Sequence, residues 1–330
     1  MCSAEPVTPT QPGAKAAADI AEQPQVVARA LERNATRLEQ ARALVQRSSL
    51  VRLLAIGSSR HAAGYGGQAL EILGDIPATV MPAPGAAVPL PRLHADQIVI
   101  VLSQSGRTPA LLDAAKAARE AGVQVIAVTN EPDSPLEAIA TVTLSCEAGP
   151  ERVIAATKSV TSQAVLLRAL ACPIDKPNVE ALIEAMRRAV EEVDSTKAVR
   201  GEIPRTVVCS GFAGEWIADE IALKFAEMTG RLVAAEPLVE HLHGPVAAPA
   251  FTLAFLDPAD PNTEALSGHR RLVRVGPHAS YDLLTPTTGD ASLDSLVWLV
   301  IGQRIVMAWA HLLGEDPDAQ RGLSKITLTL

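Results

Sequence analysis

Three groups of polar residues in this chain have types and spacings suited to chemistry. The first is Ser103-Gln104-Ser105-Gly106-Arg107-Thr108, between an apolar run and Pro109. Proline suits the first position of a helix, and Thr108 stands where an N-cap belongs. Gly106 permits a turn that a Cβ would obstruct. Free amides and hydroxyls gathered at the positive end of a helix, just after a strand, form a cup that fits a phosphate. The plainer alternative is hydroxyls that only cap a helix; five polar residues and a glycine in six positions favour the cup. The second group is Glu220, Lys224 and Glu227, at i, i+4 and i+7 on one stripe of an expected helix. Taken alone, that spacing favours a solvated ion-pair row. Its place at the edge of the apolar face of Ile217, Ile221, Phe225 and Met228 leaves acid–base work as the alternative. The third group is looser: His243, followed by Gly244-Pro245, where a lone histidine would plainly read as a satisfied loop residue, and Lys325 in the terminal run RGLSKITLTL, where a lysine plainly reads as a solubilising charge. An imidazole takes and gives a proton near neutrality. An amine nucleophile needs burial to lower its pKa, so a catalytic Lys325 requires the tail to fold back over the site; otherwise it is a solubilising charge.

The surrounding pattern supplies the elements to hold these groups. Strands are expected at 51–57, 97–103 and 123–129, with helices at 61–74 and 109–122 between them. The second half repeats the theme, with strands at 206–211, 251–256 and 270–276 and a helix at 214–230. Apolar strands alternating with helices imply parallel sheets covered on both faces. The run 51–80 aligns by pattern with 205–236, and Gly57 and Gly211 mark equivalent turns, which indicates an internal duplication. Residues 1–15 read as a loose arm, 16–180 as a first domain and 195–330 as a second, with the linker within 173–204.

Composition sets outer bounds. The chain has 330 residues, 48% hydrophobic and 20% charged, with a net charge of −8. That balance is globular and argues against a nucleic-acid surface. Cys2, Cys146, Cys172 and Cys209 form no C-x-x-C pair and read as reduced structural thiols, neither zinc ligands nor disulfides. The apolar stretch 296–313 is broken by Gln303, Arg304 and His311 and reads as a buried helix, not a membrane span. With no apolar segment near Met1 of the kind a signal peptide needs, a cytoplasmic location is expected.

The loop S-Q-S-G-x-T after a buried strand resembles the phosphate loop of the sugar isomerase (SIS) family. The likeness extends over most of the chain. It is similar to the isomerase half of glucosamine-6-phosphate synthase, and more so to stand-alone glucosamine-6-phosphate deaminases built from two SIS domains. The resemblance implies an α/β fold of two tandem SIS domains, each a doubly wound, flavodoxin-like five-stranded parallel sheet flanked by helices. It implies that Ser59, Ser103, Gln104, Ser105 and Thr108 hold the phosphate, while the backbone at Ile154 and Ala155, with Ser324, faces the sugar. Arg107 stands where the synthase has Glu, either adding charge to the cup or lying in solvent. ADEIALKFAE matches the helix in which Glu227 moves a proton between C1 and C2, assisted by Glu220 and Lys224. VEHLHGP matches the motif in which His243 opens the sugar ring, and the tail matches one in which Lys325 forms a Schiff base. Glu151 and Lys158 lie in a further matching segment, where they could equally be an ion-pair ladder. The implied reaction converts glucosamine 6-phosphate to fructose 6-phosphate and ammonia, with no metal or organic cofactor, in a homodimer that shares its active site. The segment before Val51 is too short for the synthase's glutamine-hydrolysing domain, which favours deamination over synthesis. Alternatives are a deglycase of fructosamine 6-phosphates, a galactosamine-6-phosphate deaminase and a non-catalytic sugar-phosphate sensor.

Overall fold

A computed structural model describes residues 11–82, 92–266, 268–319 and 322. Two five-stranded sheets, parallel throughout, organise it. The first half runs α1 (Ala14–Ala21), α2 (Gln23–Arg33), α3 (Ala35–Val45), β1 (Leu50–Leu54), α4 (Ser58–Gly74), β2 (Ala78–Val80), β3 (Gln97–Leu102), α5 (Pro109–Glu120), β4 (Gln124–Thr129), α6 (Pro135–Ile139), β5 (Val142–Ser145) and α7 (Lys158–Ala171). After α8 (Lys176–Glu191) the second half runs β6 (Thr206–Cys209), α9 (Gly214–Thr229), β7 (Ala234–Pro237), α10 (Leu238–Leu242), β8 (Thr252–Phe255), β9 (Leu272–Gly276), β10 (Leu283–Leu284) and α11 (Ala291–Leu312).

The strand orders are β2-β1-β3-β4-β5 and β7-β6-β8-β9-β10. Matched strand for strand they are the same order, so the repeat of pattern between 51–80 and 205–236 extends to the strand order of both sheets. Gly57 and Gly211, at φ 62° and 78°, make the left-handed turns that leave β1 and β6. β3, QIVIVL, is buried at every residue because helices cover both its faces.

The two sheets share one apolar core. It includes Leu53, Ile100 and Val128 of the first sheet, Val207, Phe255 and Val275 of the second, and residues of α2, α4, α7, α9 and α11 between them. The outward faces keep smaller cores of their own, around Val99, Val101 and Ala115, and around Val208, Ala254 and Leu256. Helix α11 is long and apolar enough to cross a membrane, but 72% of its most apolar window is buried inside the protein. Cys146 and Cys209 are buried free thiols, and burial raises the pKa of each.

Two boundaries differ from expectation. The arm expected over 1–15 overlaps α1, where the amides of Gly13 and Lys15 donate to Asp316 and Asp318. The stretch expected to link the halves contains the 16-residue helix α8, whose Leu182, Ala185, Met186 and Ala189 are buried. Sequence pattern marks polar loops well, but an amphipathic connector reads like any other helix.

Candidate functional site

In this strand order the chain reverses direction of growth between β1 and β3, and ligands collect at the carboxyl ends of the strands there. A cavity of about 400 Å³ lies at that point. Its walls include Gly57, Ser58 and Ser59 after β1, and Ser103, Gln104, Ser105 and Thr108 after β3. The N-termini of α4 and α5 both begin at these segments, so two helix dipoles and their unpaired amides favour an anion there.

The loop conformation leaves hydroxyl protons available. The Gly106 amide donates to Ser103 Oγ at 3.1 Å, and the Arg107 amide to Ser105 Oγ at 3.3 Å. Each oxygen thus accepts an amide of its own loop, which leaves the O–H as the group's remaining donor. Thr108 is in the N-cap position, but its side chain makes no cap bond; its Oγ1 lies 3.4 Å from Ser103 Oγ. Gly106 sits at φ 59°, and a Cβ there would come within 2.4 Å of Ser134 Oγ, so only glycine lets the loop close on the 134 turn. Arg107 is exposed and is not part of the cavity wall.

The opposite wall comes from the second half. α9 contributes Leu223, Ala226 and Glu227. Glu220, Lys224 and Glu227 do share a stripe, but the row is buried against α4 rather than solvated. Lys224 is completely buried; its Nζ donates to Ser58 Oγ at 3.0 Å and to Glu227, and pairs with Glu220 at 3.2 Å. His61 Nδ1 lies 2.7 Å from the other Glu220 oxygen. Gly64 of α4 makes this approach possible, since a Cβ there would overlap the Trp216 ring.

The electrostatics separate the two acids. Burial raises the Glu220 carboxyl, but Lys224 and His61 outweigh it and hold the group below its ordinary pKa. Burial also raises Glu227; Lys224 opposes this, Glu220 adds to it, and the carboxyl ends above its ordinary value. Burial alone would lower the Lys224 ammonium, yet the flanking carboxylates hold it above its ordinary value. Glu220 is therefore a fixed counter-charge, while Glu227, 16% exposed on the cavity wall, is suited to exchanging protons nearer neutrality.

The floor is the irregular loop between β5 and α7, which presents Glu151, Ile154 and Ala156. Ala155, its backbone expected to face the sugar with that of Ile154, is 2% exposed and packs its side chain into the core. No ladder joins Glu151 to Lys158, because the chain between them is not helical. Glu151 accepts from the Thr157 and Ser159 amides and from Ser159 Oγ, at 2.8, 3.1 and 2.7 Å, tying down the start of α7. Lys158 turns the other way to Glu22 and Asp19.

His243 lies apart. It ends α10, is exposed, and does not line the cavity; its neighbour His241 is buried against Glu236 at 2.8 Å. Ser324 and Lys325 fall outside the described residues. Sequence reasoning missed Ser58 and His61. The S-S-R-H run after β1 was a visible signal for Ser58, but the partner of His61 is 159 positions away. Among the described residues, no group of three or more His, Cys, Asp or Glu is placed to hold a metal.

Comparison with known proteins bears on the fold and the family. Residues 44–173 match the family model of the SIS domain. The chain is 29% identical to the glutamine–fructose-6-phosphate aminotransferase (isomerizing) of Aeropyrum pernix, over 93% of this chain and 56% of that protein. The chain spans about half the length of the curated relatives it matches. Among solved structures, a Silicibacter pomeroyi protein provisionally described as a phosphosugar isomerase superposes with a TM-score of 0.78 at 27% identity, covering 92% of this chain and 99% of that one. A glucosamine-6-phosphate deaminase from Thermotoga maritima has a TM-score of 0.75 at 21% identity, covering 95% and 99%, a likeness of fold.

Proposed function

We propose that this chain, which carries a SIS domain over residues 44–173, is a phosphosugar isomerase that deaminates a phosphorylated amino sugar, its two halves being tandem domains of the same kind. The observation that carries this reading is Glu227. Its carboxyl, raised in pKa and coupled to a buried lysine, lines the same cavity as the hydroxyl cup. A sensor needs the cup; it has no use for a proton-exchanging carboxyl beside it, supported by a buried Lys224–Glu220–His61 row.

The reaction follows from that pairing. Ser59, Ser103, Gln104, Ser105 and Thr108 hold the phosphate of glucosamine 6-phosphate. In the open-chain aldehyde, Glu227 removes the C2 proton, giving an enaminol, and returns it to C1. The product is a C2 imine beside a C1 alcohol; water adds to the imine, and fructose 6-phosphate and ammonia leave. No net oxidation occurs, and one water is consumed per ammonia released. Ring opening is assigned to His243. Since it does not line the cavity of its own chain, it would act in the cavity of a second copy, so a homodimer with shared sites belongs to this reading. Lys325 would supply an amine from the tail.

The test is direct. Purified protein with glucosamine 6-phosphate should release ammonia and fructose 6-phosphate in equal amounts. Activity confined to a fructosyl-amine phosphate would replace the deaminase reading with a deglycase, and binding without turnover would leave a sensor.

A further inference from the structure

The floor of the cavity is held from outside both sheets. We infer that α1 is a strut that sets the position of the 150–157 loop, with Asp19 as a positioning residue for the sugar end of the site. This rests on the phosphosugar reading given above.

Asp19 is fully buried in the last turn of α1. One oxygen accepts from the Arg152 amide at 2.6 Å, and the other from the Arg152 guanidinium, with Lys158 Nζ at 3.1 Å. Glu22, just after the helix, accepts from the same guanidinium and from Lys158, each at 2.6 Å. Two carboxylates thereby clamp both ends of the segment that carries Ile154 and Ala156 into the cavity. A buried carboxylate bonded to a backbone amide fixes where that backbone runs, and removing it frees the Arg152 amide and leaves Arg152 and the buried Lys158 to share Glu22.

The far end of α1 is also fixed. The Gly13 amide donates to Asp316 at 2.8 Å, and those of Lys15 and Ala16 to Asp318 at 3.0 and 2.9 Å. These acids satisfy the unpaired N–H groups of the first turn from a turn that follows α11. One short helix, about 12 Å long at 1.5 Å per residue, thus joins the chain after α11 to the loop under the cavity. None of these contacts reaches the hydroxyl cup.

That separation defines the experiment. Inorganic phosphate probes the cup alone, and fructose 6-phosphate probes the cup and the floor. Calorimetry on Asp19→Asn should show phosphate affinity within about two-fold of wild type and fructose 6-phosphate affinity about ten-fold weaker, the loss of roughly one well-placed contact. Hydrogen exchange across 150–157 should quicken in Asp19→Asn, and by less in Asp318→Asn at the other end. Glu22→Gln, at a partly exposed position, should move the same readings in the same direction with less risk to folding. Equal loss for both ligands, or unchanged exchange over the loop, overturns the strut. Wild-type protein that binds phosphate but not fructose 6-phosphate would sink the substrate reading instead, and the exchange comparison would still decide the strut.

Discussion

The two halves have the same strand order, yet only one carries a cup at its point of reversal. In the first, β3 leads into six residues rich in hydroxyls and then a 12-residue helix. In the second, β8 leads into Leu256-Asp257-Pro258 and then a short 3-10 helix, Pro261–Leu266. Ser210, which follows β6, spends its hydroxyl oxygen accepting the Asp257 amide at 2.7 Å, and Asp257 accepts the Ala259 amide at 2.8 Å. A carboxylate occupies the place where an anion would bind, and after β8 no long helix points its amides there as α5 does after β3. Topology offers a site in both halves; local residues accept it in one and close it in the other. The second half contributes differently, through α9, whose buried acid–lysine row completes the first half's cavity.

This division of labour can be broken from either side. The largest effect is expected for Glu227→Gln, which should lower turnover by about 10²–10⁴-fold while fructose 6-phosphate still binds. Retained turnover would remove the second half from the chemistry. The same group predicts a pH dependence. Because its folded pKa is raised, kcat/KM should fall as pH drops through a value above the ordinary glutamate pKa. The sign for stability is opposite: the neutral form is favoured on folding, so this contribution is present at low pH and lost as pH rises through the raised value. The Tm of Glu227→Gln should therefore gain on wild type with rising pH, as followed by thermal melts.

Next comes Lys224→Met, which leaves Glu220 and Glu227 facing each other without their shared cation. Chemical denaturation should show a loss of about 3–5 kcal/mol, the usual cost of breaking a buried pair from one side. A loss under about 1 kcal/mol would mean the row is hydrated, as an exposed pair would be. In the first half, Ser105→Ala removes one donor to the anion and should weaken phosphate binding by about 1.5–3 kcal/mol, with kcat little changed. The smallest effect belongs to the closed site. Asp257→Asn should leave turnover and phosphate affinity unaltered and cost less than about 1 kcal/mol in stability, since the amide oxygen still accepts the Ala259 N–H. A clear change in phosphate binding would show that the second reversal point is in use.

Much of this was legible in the order of residues. Strand-to-helix alternation, the glycine turns and the polar loop before Pro109 are local features, and local sterics and capping determine them wherever the chain folds. The stripe of Glu220, Lys224 and Glu227 follows from helical pitch alone. Whether that stripe meets water or protein does not. Burial against α4, the small residue at Gly64 that lets Trp216 approach, and the pairing of His61 with Glu220 join positions more than 150 residues apart. The Asp19 clamp, on a residue 133 positions away, and the burial of the Ala155 side chain likewise depend on how an irregular loop packs. Spacing along a chain fixes which side chains share a face; only the packing of that face decides their dielectric surroundings, and with them which carboxyl stays charged and which exchanges a proton.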